Sequence, residues 1–142
     1  MHSILGLALG VLFASPPANK SYDTLVMASA LTLDQATWSS FRFRELDLIA
    51  VKGKEEPVTV YEILELADGK LPAAREEALK QYDAGLRVYK TRDWKLAASY
   101  FAAALEADPD DGPSRVYLER ATEYVADPPP ADWDFVVRRT VK

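Results

Sequence analysis

Apolar positions change their spacing once along this chain, near residue 70, and the change separates two kinds of structure. Before it the apolar residues come in short runs bounded by turn residues; after it they recur every three or four positions. Residues 24–28 read as a short buried strand, and residues 32–38 as a short helix with Thr32 at its N-cap. A long strand is expected over residues 41–51, although its alternation becomes imperfect after Leu46. Pro57 opens the next strand, where its missing N–H costs least. There Val58, Val60 and Glu62 share one face and Thr59, Tyr61 and Ile63 the other, apolar enough for a sheet covered on both sides. A tight basic turn, Lys52-Gly53-Lys54, joins these two strands.

Strand character fades after Leu66, and residues 67–75 form a linker with turn chemistry at Asp68, Gly69 and Pro72. Helical spacing fills residues 76–126. Ala97, Phe101 and Ala104 lie at i, i+4 and i+7 on one stripe, and Asp108-Pro109 stops that helix. Residues 113–125 supply a third helix, with Ser114 as its N-cap and Val116, Tyr117, Ala121 and Tyr124 as packing positions. Pro128-Pro129-Pro130 then ends any helix. Residues 127–142 form an extended tail, with Trp133 as the candidate anchor against the strands of the first half. Phe101 is assigned to the core, whereas Trp94 and Tyr100 are candidates for an interaction surface that takes a peptide or protein partner.

Composition narrows the chemistry. At 142 residues the chain holds one ordinary domain or two small units in series. A net charge of −5 with no basic face argues against a nucleic-acid role. The absence of cysteine excludes disulfides, thiolate metal sites and a lipoprotein anchor. The one histidine is His2, so a Ser-His-Asp triad and histidine acid–base chemistry are excluded as well. Any activity must rest on carboxylates, lysines, arginines or backbone amides. Asp108, Asp110 and Asp111 do not have the spacing of a calcium loop and read as a helix stop.

Residues 41–64, with Val-Lys-Gly-Lys between two strands, resemble the end of the class III adenylate/guanylate cyclase catalytic domain. Residues 76–109 resemble one tetratricopeptide-like repeat of about 34 residues, and that resemblance implies that Gly85 is the small residue at which two helices touch, that Val88 and Tyr89 end the first helix, and that Asp93-Trp94 fills the turn. The pair Asp-Gly-Pro-Ser-Arg-Val-Tyr-Leu-Glu-Arg (111–120) and Pro-Pro-Pro-Ala-Asp-Trp-Asp (128–134) is similar to the tail of many bacterial membrane-anchored cyclases. The resemblance runs in order over residues 19–142. It implies an α+β chain: terminal strands of a ferredoxin-like cyclase sheet over residues 19–66, then a tetratricopeptide-like hairpin over residues 76–126 and the extended tail.

The implied parent reaction is ATP to cyclic AMP and pyrophosphate, at a site formed between two catalytic domains in a homodimer. It uses magnesium or manganese held by two aspartates, with an Asn and an Arg at the transition state. In the family those residues lie upstream of Asn19, so the resemblance assigns no catalytic or metal-binding residue here. It carries over one residue, Lys52, as a contact to the substrate triphosphate. The chain alone is therefore expected to be inactive, and cytoplasmic, within a membrane-anchored parent. The alternative reading is a small helical-repeat interaction module.

Residues 1–18 fit neither half. Residues 3–14 are apolar and uncharged, too short to span a bilayer, which takes about 20 residues in a helix. They have the length of a signal-peptide core but no preceding Lys or Arg, and an export signal would make this a secreted protein. The other reading is translation out of frame. Shifted by one base, the first nine codons can encode Asp-Ala-Leu-Asn-Leu-Gly-Ser-Arg-Leu, which resembles the cyclase helix expected just before this segment.

Overall fold

The computed structural model describes residues 27–29, 39–50 and 56–138. The expected helix over residues 32–38, its cap Thr32, the turn residues 51–55 and residues 1–26 lie outside the described residues. The chain divides into two compact units, one of residues 1–70 with 134–142 and the other of residues 71–133.

In the first unit, β1 (Met27–Ser29), β2 (Phe41–Ile49), β3 (Val58–Leu66) and β4 (Val136–Val137) form a sheet in the order β1-β3-β2-β4. β3 pairs antiparallel with β1 and β2, whereas β4 runs parallel to β2. The imperfect alternation after Leu46 has a specific cause. Glu45 pairs with Tyr61 but Asp47 pairs with Val60, which leaves Leu46 as an extra residue in β2. Such a bulge shifts the side-chain phase, and both Leu46 and Asp47 are buried. On β3 the expected faces are seen: Val58, Val60 and Glu62 are buried, and Thr59, Tyr61 and Ile63 are half-buried.

The second unit is three consecutive helices: α1 (Ala73–Tyr89), α2 (Trp94–Ala107) and α3 (Gly112–Ala126). Pro72 precedes α1 without a side-chain cap, and Glu76 in the first turn accepts from the Leu71 N–H at 3.3 Å. Asp93 caps α2 by accepting from the Leu96 N–H at 3.2 Å. The N-cap of α3 is Asp111 rather than Ser114. Ser114 lies buried inside the first turn, and its hydroxyl donates to the Asp111 carboxylate. Two prolines of the sequence thus mark helix starts, Pro72 before α1 and Pro113 in the first turn of α3, where a missing N–H leaves no bond unmade.

Ala97, Phe101 and Ala104 are fully buried along one stripe of α2. Gly85 of α1 is required by that contact: a Cβ there would stand 2.9 Å from Phe101 Cε1. Tyr82, Phe101 and Tyr117 bring one ring from each helix into the core, with Phe101 stacked on Tyr117 at 5.2 Å and Tyr82 edge-on at 5.7 Å to Phe101. Burying rings of this size contributes roughly 2–3 kcal/mol each.

Candidate functional site

Among the described residues three places gather side chains with chemistry: the buried face of the sheet, the Arg75–Asp111 group, and the aromatic end of the helical unit. β2 and β3 remain paired up to Ile49 and Val58. Lys52, expected at a triphosphate, lies outside the described residues, as do Gly53 and Lys54. One residue before that stretch, the Ala50 N–H donates to the Val137 carbonyl at 3.0 Å, so the C-terminal strand continues alongside the end of β2.

The buried sheet face holds charge. Arg44 and Glu62 are directly opposed across β2 and β3, and Arg44 donates from Nε to Glu62 Oε1 at 2.9 Å and again from its terminal nitrogen. Arg44 is 5% exposed and Glu62 8%. Charged side chains this buried persist when paired; the placement of Glu62 beside Val58 and Val60 makes sense only with Arg44 opposite. Asp47 is buried on the same strand and accepts from the Leu48 N–H at 3.1 Å. On the other face, burial and then the negative charge of Glu45 raise the Tyr61 phenol above its ordinary value.

The helical unit contains a second ionic group. Arg75 donates to Asp111 Oδ1 at 2.9 Å and reaches Asp108 at 3.6 Å, while Asp111 also accepts from Ser114. The aspartates after α2 therefore join the start of α1 to the start of α3. Among the described residues no group of three or more His, Cys, Asp or Glu side chains converges as a metal site.

At the far end of this unit the α1–α2 turn meets the tail. Arg92 sits in the left-handed region, at φ 69°, a conformation that usually favours glycine. Its guanidinium lies over the Trp94 ring at 5.4 Å and donates to the Pro129 carbonyl at 2.7 Å. Trp94, 7% exposed, is enclosed by Tyr89 at 5.1 Å, Tyr124 at 5.0 Å and Trp133 at 6.3 Å. Of the two candidate surface aromatics, Trp94 is thus covered by the chain's own tail, and Tyr100 is half-buried further along α2.

The tail docks differently from the sequence expectation. Trp133 packs in the helical unit, on Trp94 and Tyr124 (5.4 Å), rather than on the strands; Val136 and Val137 are what meet β2. Between them Phe135 has φ 66°. Asp134 holds this bend by accepting from the Val136 N–H at 3.1 Å and from both terminal nitrogens of Arg138 at 3.1 and 2.7 Å. The Arg138 hydrogen bond, then the backbone one, lower the Asp134 carboxyl to about 2.

Sequence reasoning missed Arg44, Arg92 and the seat of Trp133. The first had a signal, since it stands on the same strand face as buried apolar neighbours. The other two had none, because the turn and the tail meet only in the folded unit. Among the described residues no helix is long and apolar enough to cross a membrane.

No protein-family model and no solved structure matches the chain. Among curated proteins it is similar to the terminal-differentiation-specific adenylate cyclase of Dictyostelium discoideum, 27% identical over 123 residues. That similarity covers 85% of this chain and 6% of the slime-mould protein, so it reaches through both units here while spanning a small part of an adenylate cyclase.

Proposed function

We propose that this chain is the C-terminal part of a class III nucleotide cyclase: the closing strands of its catalytic fold, followed by a tetratricopeptide-like helical tail. The observation that carries the reading is the similarity to an adenylate cyclase across 85% of the chain, which takes in the strand pair and the helices together. The parent reaction is ATP to cyclic AMP and pyrophosphate, run by a homodimer with magnesium or manganese on the cytoplasmic side of a membrane. None of the described residues is assigned to the metals. Lys52, on a turn where Gly53 leaves room for phosphate oxygens to approach, contributes positive charge at the triphosphate.

The 142-residue chain alone supplies that lysine without metal carboxylates or a transition-state clamp, and it forms no cyclic AMP. The test extends the chain in frame with the cyclase segment encoded upstream and assays cyclic AMP from ATP with manganese. The extended protein is expected to be active, and Lys52→Ala to raise KM for ATP about tenfold or more, the size of one lost charged hydrogen bond. An extended, folded and dimeric protein that makes no cyclic AMP would sink the reading.

A second reading, a protein-interaction module in residues 76–126, is favoured by the aromatic end of the helical unit. It predicts saturable binding of a peptide or protein partner that changes with Trp94 or Tyr100 and is indifferent to Lys52.

A further inference from the structure

Helix α2 is apolar on more than its buried side. Its 14 residues include only two charged side chains, Lys95 and Glu106. Trp94, Ala97, Phe101 and Ala104 face the core. Leu96, Tyr100, Ala103 and Ala107 form a second stripe, roughly 110° round the helix and within about 60° of one another at 3.6 residues per turn. Leu96 is 45% exposed, and the other three are half-buried. A helix at the surface of a soluble unit ordinarily turns polar residues to such a face, and an apolar one marks a contact.

The order of residues along that stripe is specific. The large side chains, Leu96 and Tyr100, stand in its first half, and the small ones, Ala103 and Ala107, in its second. A second α2 laid antiparallel across a two-fold axis brings Leu96 against Ala107 and Tyr100 against Ala103 of the other copy, because both pairs are centred between residues 101 and 102. Large then meets small at each level, as interdigitating helices require. A parallel pair would set Tyr100 on Tyr100 and leave a gap at the alanines.

The charges follow the same order. Lys95 lies in the first turn of α2 and Glu106 in the last, each at the helix end of its own sign. Both are exposed, and among the described residues neither is joined to an opposite charge. Such placements oppose the helix dipole. In the antiparallel pair both are compensated, since Glu106 stands beside the other copy's Lys95 and helix N-terminus. Asp108 comes near Lys95 in the same register but is already engaged by Arg75 at 3.6 Å, so Glu106 carries the contact.

We propose that α2 is a self-association surface, on which a second copy of this chain docks antiparallel through Leu96, Tyr100, Ala103 and Ala107. One face of one helix per copy is a small interface of the weak, transient class, half-associated at a chain concentration on the order of 100 µM. Two copies already held together elsewhere would pair far more readily, because tethering raises their effective concentration. This inference deepens the interaction-module reading, from which it takes Tyr100 and to which it gives a partner. It involves no residue of β2, β3 or the basic turn.

The experiment is sedimentation velocity of the full-length chain from about 10 to about 500 µM, a range that brackets the expected midpoint. The weight-average sedimentation coefficient should rise from the monomer's toward the dimer's. Leu96→Glu should abolish the rise, and Lys95→Glu should weaken association about fivefold. Both variants are expected to fold, because an acidic side chain in the first turn suits the helix dipole. Combining Lys95→Glu with Glu106→Lys restores the attraction across the two-fold axis and should recover most of the affinity.

A chain that stays monomeric throughout overturns the proposal. Association that Leu96→Glu leaves unchanged runs through another surface and overturns it too, as does a charge-swapped variant that associates no better than Lys95→Glu alone. Should Leu96→Glu lose its helical circular dichroism, the charge series decides by itself. The cyclase reading is judged by cyclic AMP formation and the module reading by binding of a different protein, so each fails separately from this one.

Discussion

The two units of this chain build their interiors from different materials. The helical unit is filled by rings: Tyr82, Phe101 and Tyr117 at its centre, Tyr89, Trp94 and Tyr124 toward the turn. Each helix packs on its neighbour in sequence. The described face of the sheet is filled by Val58, Val60, Leu46 and Ile49 around a charged pair, Arg44 and Glu62. Its outer strand β4 arrives from the opposite end of the chain. The helical unit can therefore form from local contacts, whereas the sheet must close a long loop before β4 contributes. The first depends on volume and the second on pairing, and substitutions should separate the two.

The largest expected effect is on volume. Phe101→Ala empties the point where α1, α2 and α3 meet and should cost about 3–5 kcal/mol. Urea unfolding followed by far-ultraviolet circular dichroism should show the helical transition move while the amides of β2 and β3 keep their exchange protection. Simultaneous loss of both would show that the units do not fold separately.

On the pairing side, Glu62→Ala leaves the Arg44 guanidinium buried without its carboxylate, at a cost of about 3–5 kcal/mol. The double change Arg44→Met with Glu62→Leu is expected to restore most of it, because desolvating the pair offsets much of its attraction. If the double variant is as unstable as the single one, the pair contributes more than mutual neutralisation.

Gly85→Ala sharpens the volume argument with one methyl group. The new Cβ meets Phe101 at 2.9 Å, and overpacking of that kind costs about 1–3 kcal/mol, offset by roughly 1 kcal/mol of helix propensity. A net destabilisation of about 0–2 kcal/mol in thermal unfolding is expected; a stabilised variant would mean that α1 and α2 separate easily.

Asp93→Ala removes the cap from Leu96 and should lower the stability of the helical unit by about 1 kcal/mol. The smallest effect is electrostatic. Asp134 titrates at about 2 when folded, below the usual value near 3.9. A depressed carboxyl contributes stability that is complete above the unfolded value and is lost as pH falls toward 2. Carbon-13 titration of Asp134 should show this low midpoint, and Arg138→Ala should raise it.

Much of the helical unit was legible in the sequence, for a physical reason. The Ala97–Phe101–Ala104 stripe follows from the helical period and the stops from proline and aspartate, which are local rules, whereas Gly85 came from the likeness to a helical repeat and its reason, the closeness of Phe101, is seen only in the fold. The strand pair was legible through its apolar runs and Pro57, and the failing alternation after Leu46 was a true signal of the bulge. Ser114 misled because serine is a common cap, yet Asp111 stood one turn earlier with an arginine partner far off in sequence. Trp94, expected on an interaction surface, lies under Trp133 of the tail, and no local pattern announces that cover.

By itself the sequence determined where the three helices and the β2–β3 strand pair form, because backbone geometry and apolar spacing act over a few residues. It also determined which chemistries were excluded, because a chain without cysteine and with one histidine cannot supply them. Only the tertiary structure decided that Arg44 faces Glu62, that Arg92 reaches Pro129, and that Trp133 turns to the helices while Val136 and Val137 go to β2. Those contacts join residues far apart in the chain. Their existence depends on loop closure and strand register, which no local pattern encodes.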